Sequence, residues 1–106
     1  MLIFVASPYS IGNKSRNVGN SMIAGNEILK KGHTPFLPLL SHYWDCIYPK
    51  PESVWYEIDR IILPRCDAVL RLPGQSKGAD TEVELAQSLG IPVYLDIDDI
   101  ATYCTM

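Results

Sequence analysis

Ala68-Val-Leu-Arg-Leu-Pro-Gly-Gln-Ser-Lys-Gly-Ala-Asp-Thr-Glu-Val-Glu-Leu-Ala-Gln-Ser-Leu-Gly-Ile-Pro-Val-Tyr-Leu95 reads as strand, loop, helix and strand in succession. Ala68-Val69-Leu70 is an apolar run without alternation, the pattern of a strand covered on both faces. Pro73 to Gly78 is a glycine-containing loop. From about Ala79 to Leu89 the period becomes helical, with Glu82, Leu85, Ala86 and Leu89 at i, i+3, i+4 and i+7. Gly90 is placed to stop that helix, and Ile91 to Leu95 is apolar and extended again. A strand, a crossover helix and a further strand imply parallel pairing.

The rest of the chain repeats this grammar. Leu2 to Ala6 is a short buried-type strand ending at Ser7-Pro8, and Ser7 to Lys14 is turn-rich. A helix is expected from Ser15, with Val18, Met22, Gly25 and Leu29 on its apolar face and Gly32 beyond its end. A second strand follows at about Thr34 to Leu37. Pro38 to Lys50 reads as an irregular, aromatic segment carrying His42, Tyr43, Trp44 and Tyr48. Pro51 opens another helix, with Val54, Ile58, Ile61 and Ile62 as its stripe and Pro64 as its end. Asp96 to Asp99 begins a short helix or turn. The expected fold is therefore α/β. It is one domain over residues 1–106, a three-layer α/β/α sandwich on a parallel sheet of four or five strands, Rossmann- or flavodoxin-like. Ligands of such folds sit beyond the C-terminal ends of the strands. Those ends lead into Ser7–Asn13, Pro38–Lys50, Arg71–Gly78 and Asp96–Asp99.

Composition narrows the function. A chain of 106 residues builds one core, and 47% hydrophobic with 20% charged residues is a folded composition. Nine cationic against twelve anionic side chains give a net charge of −3, without the clustered cations that nucleic-acid polymers require. Cys46, Cys66 and Cys104 are scattered and unpaired in spacing, arguing against a disulfide framework or a structural zinc site. His42, Asp45 and Cys46 lack a fourth ligand, so no metal is expected there. The apolar N-terminus has no basic flank and is too short for a signal peptide. No run approaches the ~20 apolar residues of a membrane helix. A cytoplasmic location is expected.

Two carboxylates stand out. Glu82 shares the stripe that packs on the sheet, whereas Glu84 lies about 200° away toward solvent. Glu82 is either a first-turn acid that stabilises the helix dipole or capping box, or a carboxylate at the floor of a pocket. Asp59 lies beside the apolar stripe with Trp55 and Ile62 at i−4 and i+3. It is either a pocket acid or a surface partner of Arg60 or Arg65. Gly74, Ser76 and Gly78 precede a helix start, where backbone N–H groups can hold an anion. That loop matches neither a P-loop nor a dinucleotide fingerprint, and no cofactor is expected.

In order and spacing, Asp59-(seven residues)-Asp67-Ala-Val-Leu, Ser76-(five residues)-Glu82-Val-Glu-Leu-Ala86 and Gly90-Ile-Pro-Val93 resemble the nucleoside 2-deoxyribosyltransferase superfamily. Within it they are similar to the 2′-deoxynucleoside 5′-phosphate N-hydrolases. They are also similar to a small uncharacterised branch with a Pro-Tyr-Ser-like first loop. The resemblance implies a small-molecule nucleoside or nucleotide substrate, with Glu82 as catalytic glutamate and Asp59 assisting at the leaving base. It also implies that Ser76 contacts a 5′-phosphate. The first loop departs from the hydrolase pattern, reading Ser7-Pro8-Tyr9-Ser10 with no arginine, so Lys14, Arg16 or Lys77 would have to supply that charge. Ser7, Tyr9, Ser76, Gly78 and Trp44 are the candidate substrate-binding residues. Tyr9 either contacts the sugar or packs on the sheet edge, and Trp44 either stacks on a base or pins its loop. A homodimer or larger homo-oligomer is expected, because so small a domain leaves its pocket walls incomplete. A non-catalytic nucleotide-binding module on the same fold is the alternative.

Overall fold

Apolar residues on both faces of β1 (Leu2–Ala6) require a layer of structure on each side of the sheet. In the computed structural model, which describes residues 1–103, both layers are present. Cys104 lies outside the described residues. The elements that follow β1 are α1 (Lys14–Lys30), β2 (Thr34–Phe36), α2 (Ser41–Ile47), α3 (Glu52–Ile62), β3 (Ala68–Arg71), α4 (Lys77–Ser88) and β4 (Val93–Tyr94). Single 3₁₀ turns occupy Pro38–Leu40, Leu63–Arg65 and Ile97–Asp99. The strands form one four-stranded sheet in the order β2-β1-β3-β4, and every pairing is parallel. Ile3 and Val5 pack with Ala24, Ile28 and Ile100 on one face. Phe4 and Ala6 pack with Leu63, Cys66, Ala79 and Ala86 on the other. This is the expected three-layer α/β/α sandwich.

Asp67 clips the sheet at its lower edge. Its Oδ2 accepts the Leu2 N–H at 2.7 Å, and its own N–H donates to the Leu2 carbonyl at 2.8 Å. Strand order reverses about β1, with β2 on one side and β3 on the other. The loops after β1 and β3 therefore diverge and leave a crevice at their C-terminal ends.

Three expectations need correction. The buried face of α1 is Val18, Ser21, Ala24, Gly25 and Ile28, and Leu29 is exposed. Small residues bring the helix close to the sheet. A Cβ on Gly25 would stand 3.1 Å from Leu37 Cδ1, and Ser21 satisfies its hydroxyl on the Val18 carbonyl at 2.7 Å. Pro38–Lys50 is largely helical rather than irregular, because Ser41 to Ile47 contains no Gly or Pro to break it. The stripe of α3 is less covered than its pattern implies. None of its residues is fully buried, and Val54 and Ile61 are exposed.

Candidate active site

Ser76 sets the geometry of α4. Its backbone is extended and its hydroxyl accepts the Ala79 N–H at 3.0 Å, which makes it the N-cap and starts the helix at Lys77. The acid in the first turn is consequently Asp80, and the capping-box position is held by Ala79. Glu82 falls in the second turn, beyond the useful range of the helix dipole. The first-turn reading of Glu82 is thereby removed.

Glu82 instead lines a cavity of about 350 Å³ at the crevice between the β1 and β3 ends. Ser7, Tyr9, Ser76, Gly78 and Asp59 line the same cavity, so five of the expected residues converge there with Glu82. Asp59 arrives from α3. Neither arginine proposed as its surface partner takes it, since Arg60 binds Glu57 at 2.6 Å and Arg65 donates to the Ile61 carbonyl at 2.7 Å. A second cavity of about 500 Å³ opens between α3 and α4, lined by Tyr56, Leu63, Thr81 and Leu85. Asp59 and Glu82 line both cavities, and Tyr56 and Gly78 stand with them. The Tyr56 ring lies 3.5 Å from where a Cβ on residue 78 would be.

Burial governs the protonation of this pair. It raises the Asp59 carboxyl to about 7. It raises Glu82 to about 8, with the charge of Asp59 adding to the effect and the Arg71 guanidinium opposing it. Tyr56 donates to Glu52 Oε1 at 2.5 Å, and that bond, with burial, pushes its phenol up to about 12.

The far wall is built by α2. The Tyr9 hydroxyl and His42 Nδ1 are hydrogen-bonded at 2.6 Å, Lys14 Nζ sits 5.3 Å from the Tyr9 ring centre, and burial raises the Tyr9 phenol. Asp45 Oδ1 accepts both the Lys50 N–H at 2.9 Å and the Trp55 Nε1–H at 3.0 Å. These bonds, the Lys50 one foremost, hold the carboxyl below its ordinary range. Trp44 is placed differently from Tyr9. It is half exposed and packs edge-on against Trp55 at 5.2 Å, and it is Trp55 that lines the cavity. Trp55, Tyr56, His42 and Asp45 join the cavity wall beyond the residues expected from sequence. Trp55 and Tyr56 did carry a signal, since they stand one turn or less before Asp59 on the same helix. Among the described residues no helix is long and apolar enough to cross a membrane.

The fold has a solved counterpart. A 2-deoxyribosyltransferase from the psychrotolerant bacterium Bacillus psychrosaccharolyticus superposes with a TM-score of 0.68 at 18% identity, over 98% of this chain and 93% of that one. At that identity the likeness establishes the fold alone. The sequence matches no curated protein. The model of the family described as Domain of unknown function (DUF1937) matches residues 1–96, and the chain belongs to that family.

Proposed function

We propose that this protein is a member of the nucleoside 2-deoxyribosyltransferase superfamily that cleaves or transfers at the N-glycosidic bond of a (deoxy)nucleoside or nucleoside 5′-monophosphate. The observation that carries this reading is the convergence of two desolvated carboxylates, Glu82 and Asp59, from different helices in a cavity walled by Tyr9, Trp55 and Tyr56. Breaking the bond from C1′ to the base develops positive charge on C1′ and the ring oxygen. A carboxylate beneath the sugar stabilises that charge. Glu82 in its ionised form attacks C1′, and the bonding pair leaves with the base, which takes a proton from Asp59. The resulting glycosyl ester is opened by water, with Asp59 recovering a proton, or by a second base. The aromatic wall suits a planar base, while Ser76, Gly78 and the start of α4 suit the sugar and its 5′ substituent.

Chromatographic detection of free base from a panel of ribo- and deoxyribonucleosides and their 5′-monophosphates tests the reading. Base release is expected from at least one member and is expected to vanish in Glu82→Ala, with Glu82→Gln still binding that substrate. One observation favours a second reading, a nucleotide-binding module without turnover. A Glu82 carboxyl at about 8 carries its proton at neutral pH and then donates a hydrogen bond rather than attacks. Saturable nucleotide binding with no base release from any panel member selects that reading.

A further inference from the structure

We propose that Arg71 is the positioning residue of this site: it fixes the loop that delivers α4 and keeps a positive charge on the first turn of the helix that carries Glu82. This rests on the catalytic reading of Glu82 given above.

Arg71 is the last residue of β3, in register with Ala6 of β1, so its Cα is anchored in the centre of the sheet. Its side chain is only 12% exposed, an unusual position for a guanidinium beside a loop. Both terminal nitrogens of the group are engaged. It donates to the Leu72 carbonyl, to the Gly74 carbonyl at 2.9 Å and to Asp80 Oδ1 at 2.9 Å. The first two acceptors lie on the chain between β3 and the Ser76 cap, and the third lies on the first turn of α4. One planar fork therefore ties strand, loop and helix together, which an ammonium cannot reproduce. Asp80 is two residues before Glu82 and on the opposite side of the helix. Holding Asp80 consequently sets the rotation of the turn that aims Glu82 into the cavity. Asp80 is 65% exposed, so the ion pair adds little stability by itself, and the bonds to the loop carbonyls are the larger part of the clamp.

The charge matters separately from the clamp. The groups around Glu82 are mostly anionic or neutral. Asp59, Glu52 and the Tyr56 phenol come from α3. Arg60 of α3 also lines the second cavity but is paired with Glu57; across the first cavity stand Tyr9 after β1 and His42 and Asp45 on α2, and exposed Lys77 lies on its own helix. Arg71 is the cation whose field opposes the burial of Glu82. A buried nucleophile that must ionise near neutral pH depends on such a partner.

Two variants separate the roles. Arg71→Gln removes charge and fork, and Arg71→Lys keeps the charge but not the fork. The first readout is the titration of the Glu82 side-chain carboxyl by carbon-13 NMR, assigned with Glu82→Gln, which needs no turnover. The second is the pH profile of kcat and KM for base release. In Arg71→Gln the Glu82 midpoint is expected to move up, and the acid limb of the kcat profile with it. At pH 7, kcat is expected to fall about tenfold for each unit of that movement. In Arg71→Lys the midpoint stays near that of the unsubstituted protein while kcat still falls. Arg71 does not line the cavity, so KM is expected to change only through the loop that carries Ser76, and alike in both variants. An unmoved Glu82 midpoint in folded Arg71→Gln, or an undiminished kcat in Arg71→Lys, overturns the proposal. If the unsubstituted protein releases no base, the catalytic reading fails, and the NMR midpoints still decide what Arg71 does to Glu82. Should Arg71→Gln fail to fold, Arg71→Lys carries the test alone: a fallen kcat with the Glu82 midpoint near the native one supports the clamp, and an undiminished kcat overturns it.

Discussion

Glu82 and Asp59 both bind protons in the folded protein at pH values where an unfolded chain would have released them. The Glu82 carboxyl moves from its ordinary 4.5 to about 8, and Asp59 from 3.8 to about 7. Between those limits the native state holds more protons than the unfolded state, so stability falls as pH rises through the window. The sign is opposite to that of a salt-bridged carboxylate. The unfolding free energy from urea titration is therefore expected to be higher at pH 5 than at pH 9, by on the order of 2 kcal/mol, after allowing for partial exposure of both groups to water, and the urea midpoint with it. Glu82→Gln and Asp59→Asn remove the charge and keep the shape, so each should flatten that dependence and raise stability at pH 9. Identical midpoints at the two pH values would contradict the burial described here. The proposed reaction would respond to the same pair: its competent form has Glu82 ionised and Asp59 protonated, although Asp59 is the more acidic group. Activity should then be bell-shaped, peak between about 7 and 8, and come from a minor protonation state.

At the scale of elements, the helix α4 is the best example of what the sequence makes legible. Its period, its Gly90 stop and the inward position of Glu82 are readable from residues 79–90 alone. It starts two residues before the expected Ala79, because the Ser76 cap is a local side-chain bond that a plain loop offers equally well in sequence. That small error kept two interpretations of Glu82 open that the fold separates. The cap itself is testable. Ser76→Ala is expected to cost about 1 kcal/mol of stability, and Ser76→Thr to recover most of it, read as shifts in thermal midpoint. If Ser76→Ala leaves the midpoint unchanged, the cap bond does not hold the helix start. The segment α2 was illegible for a different reason. Its seven residues have no capping side chain and bury none of their number, so neither propensity nor amphipathic pattern marks it. It is held by tertiary bonds, Tyr9 to His42 and Asp45 to Trp55, whose partners are distant in sequence or on another helix. The same fact hid the far wall of the cavity, including Trp55, while leaving Trp44 as the more conspicuous aromatic.

The whole molecule leaves one apolar surface unexplained by its own core. Val54, Ile58 and Ile61 recur at i, i+4 and i+7 on α3, the pattern of a packed helix face, but Val54 is 36% and Ile61 50% exposed. Trp44, Ile47 and Tyr48 on and after α2 are more than half exposed as well. Scattered apolar side chains on a surface carry no message, but a periodic stripe on a helix does, because that pattern has a use only when something covers it. The two sheet faces are already filled by the clusters around Ile3 and Phe4, so no element among the described residues remains to do so. A second copy of the chain is the occupant expected, since like stripes on like helices pack by two-fold symmetry. Native mass spectrometry and light scattering at micromolar concentration should therefore report a dimer or larger assembly. Ile61→Asp with Val54→Asp should shift the population toward monomer without unfolding it, both residues being outside the two core clusters. A strict monomer at these concentrations would leave the stripe to some other partner and would refute self-association as its explanation.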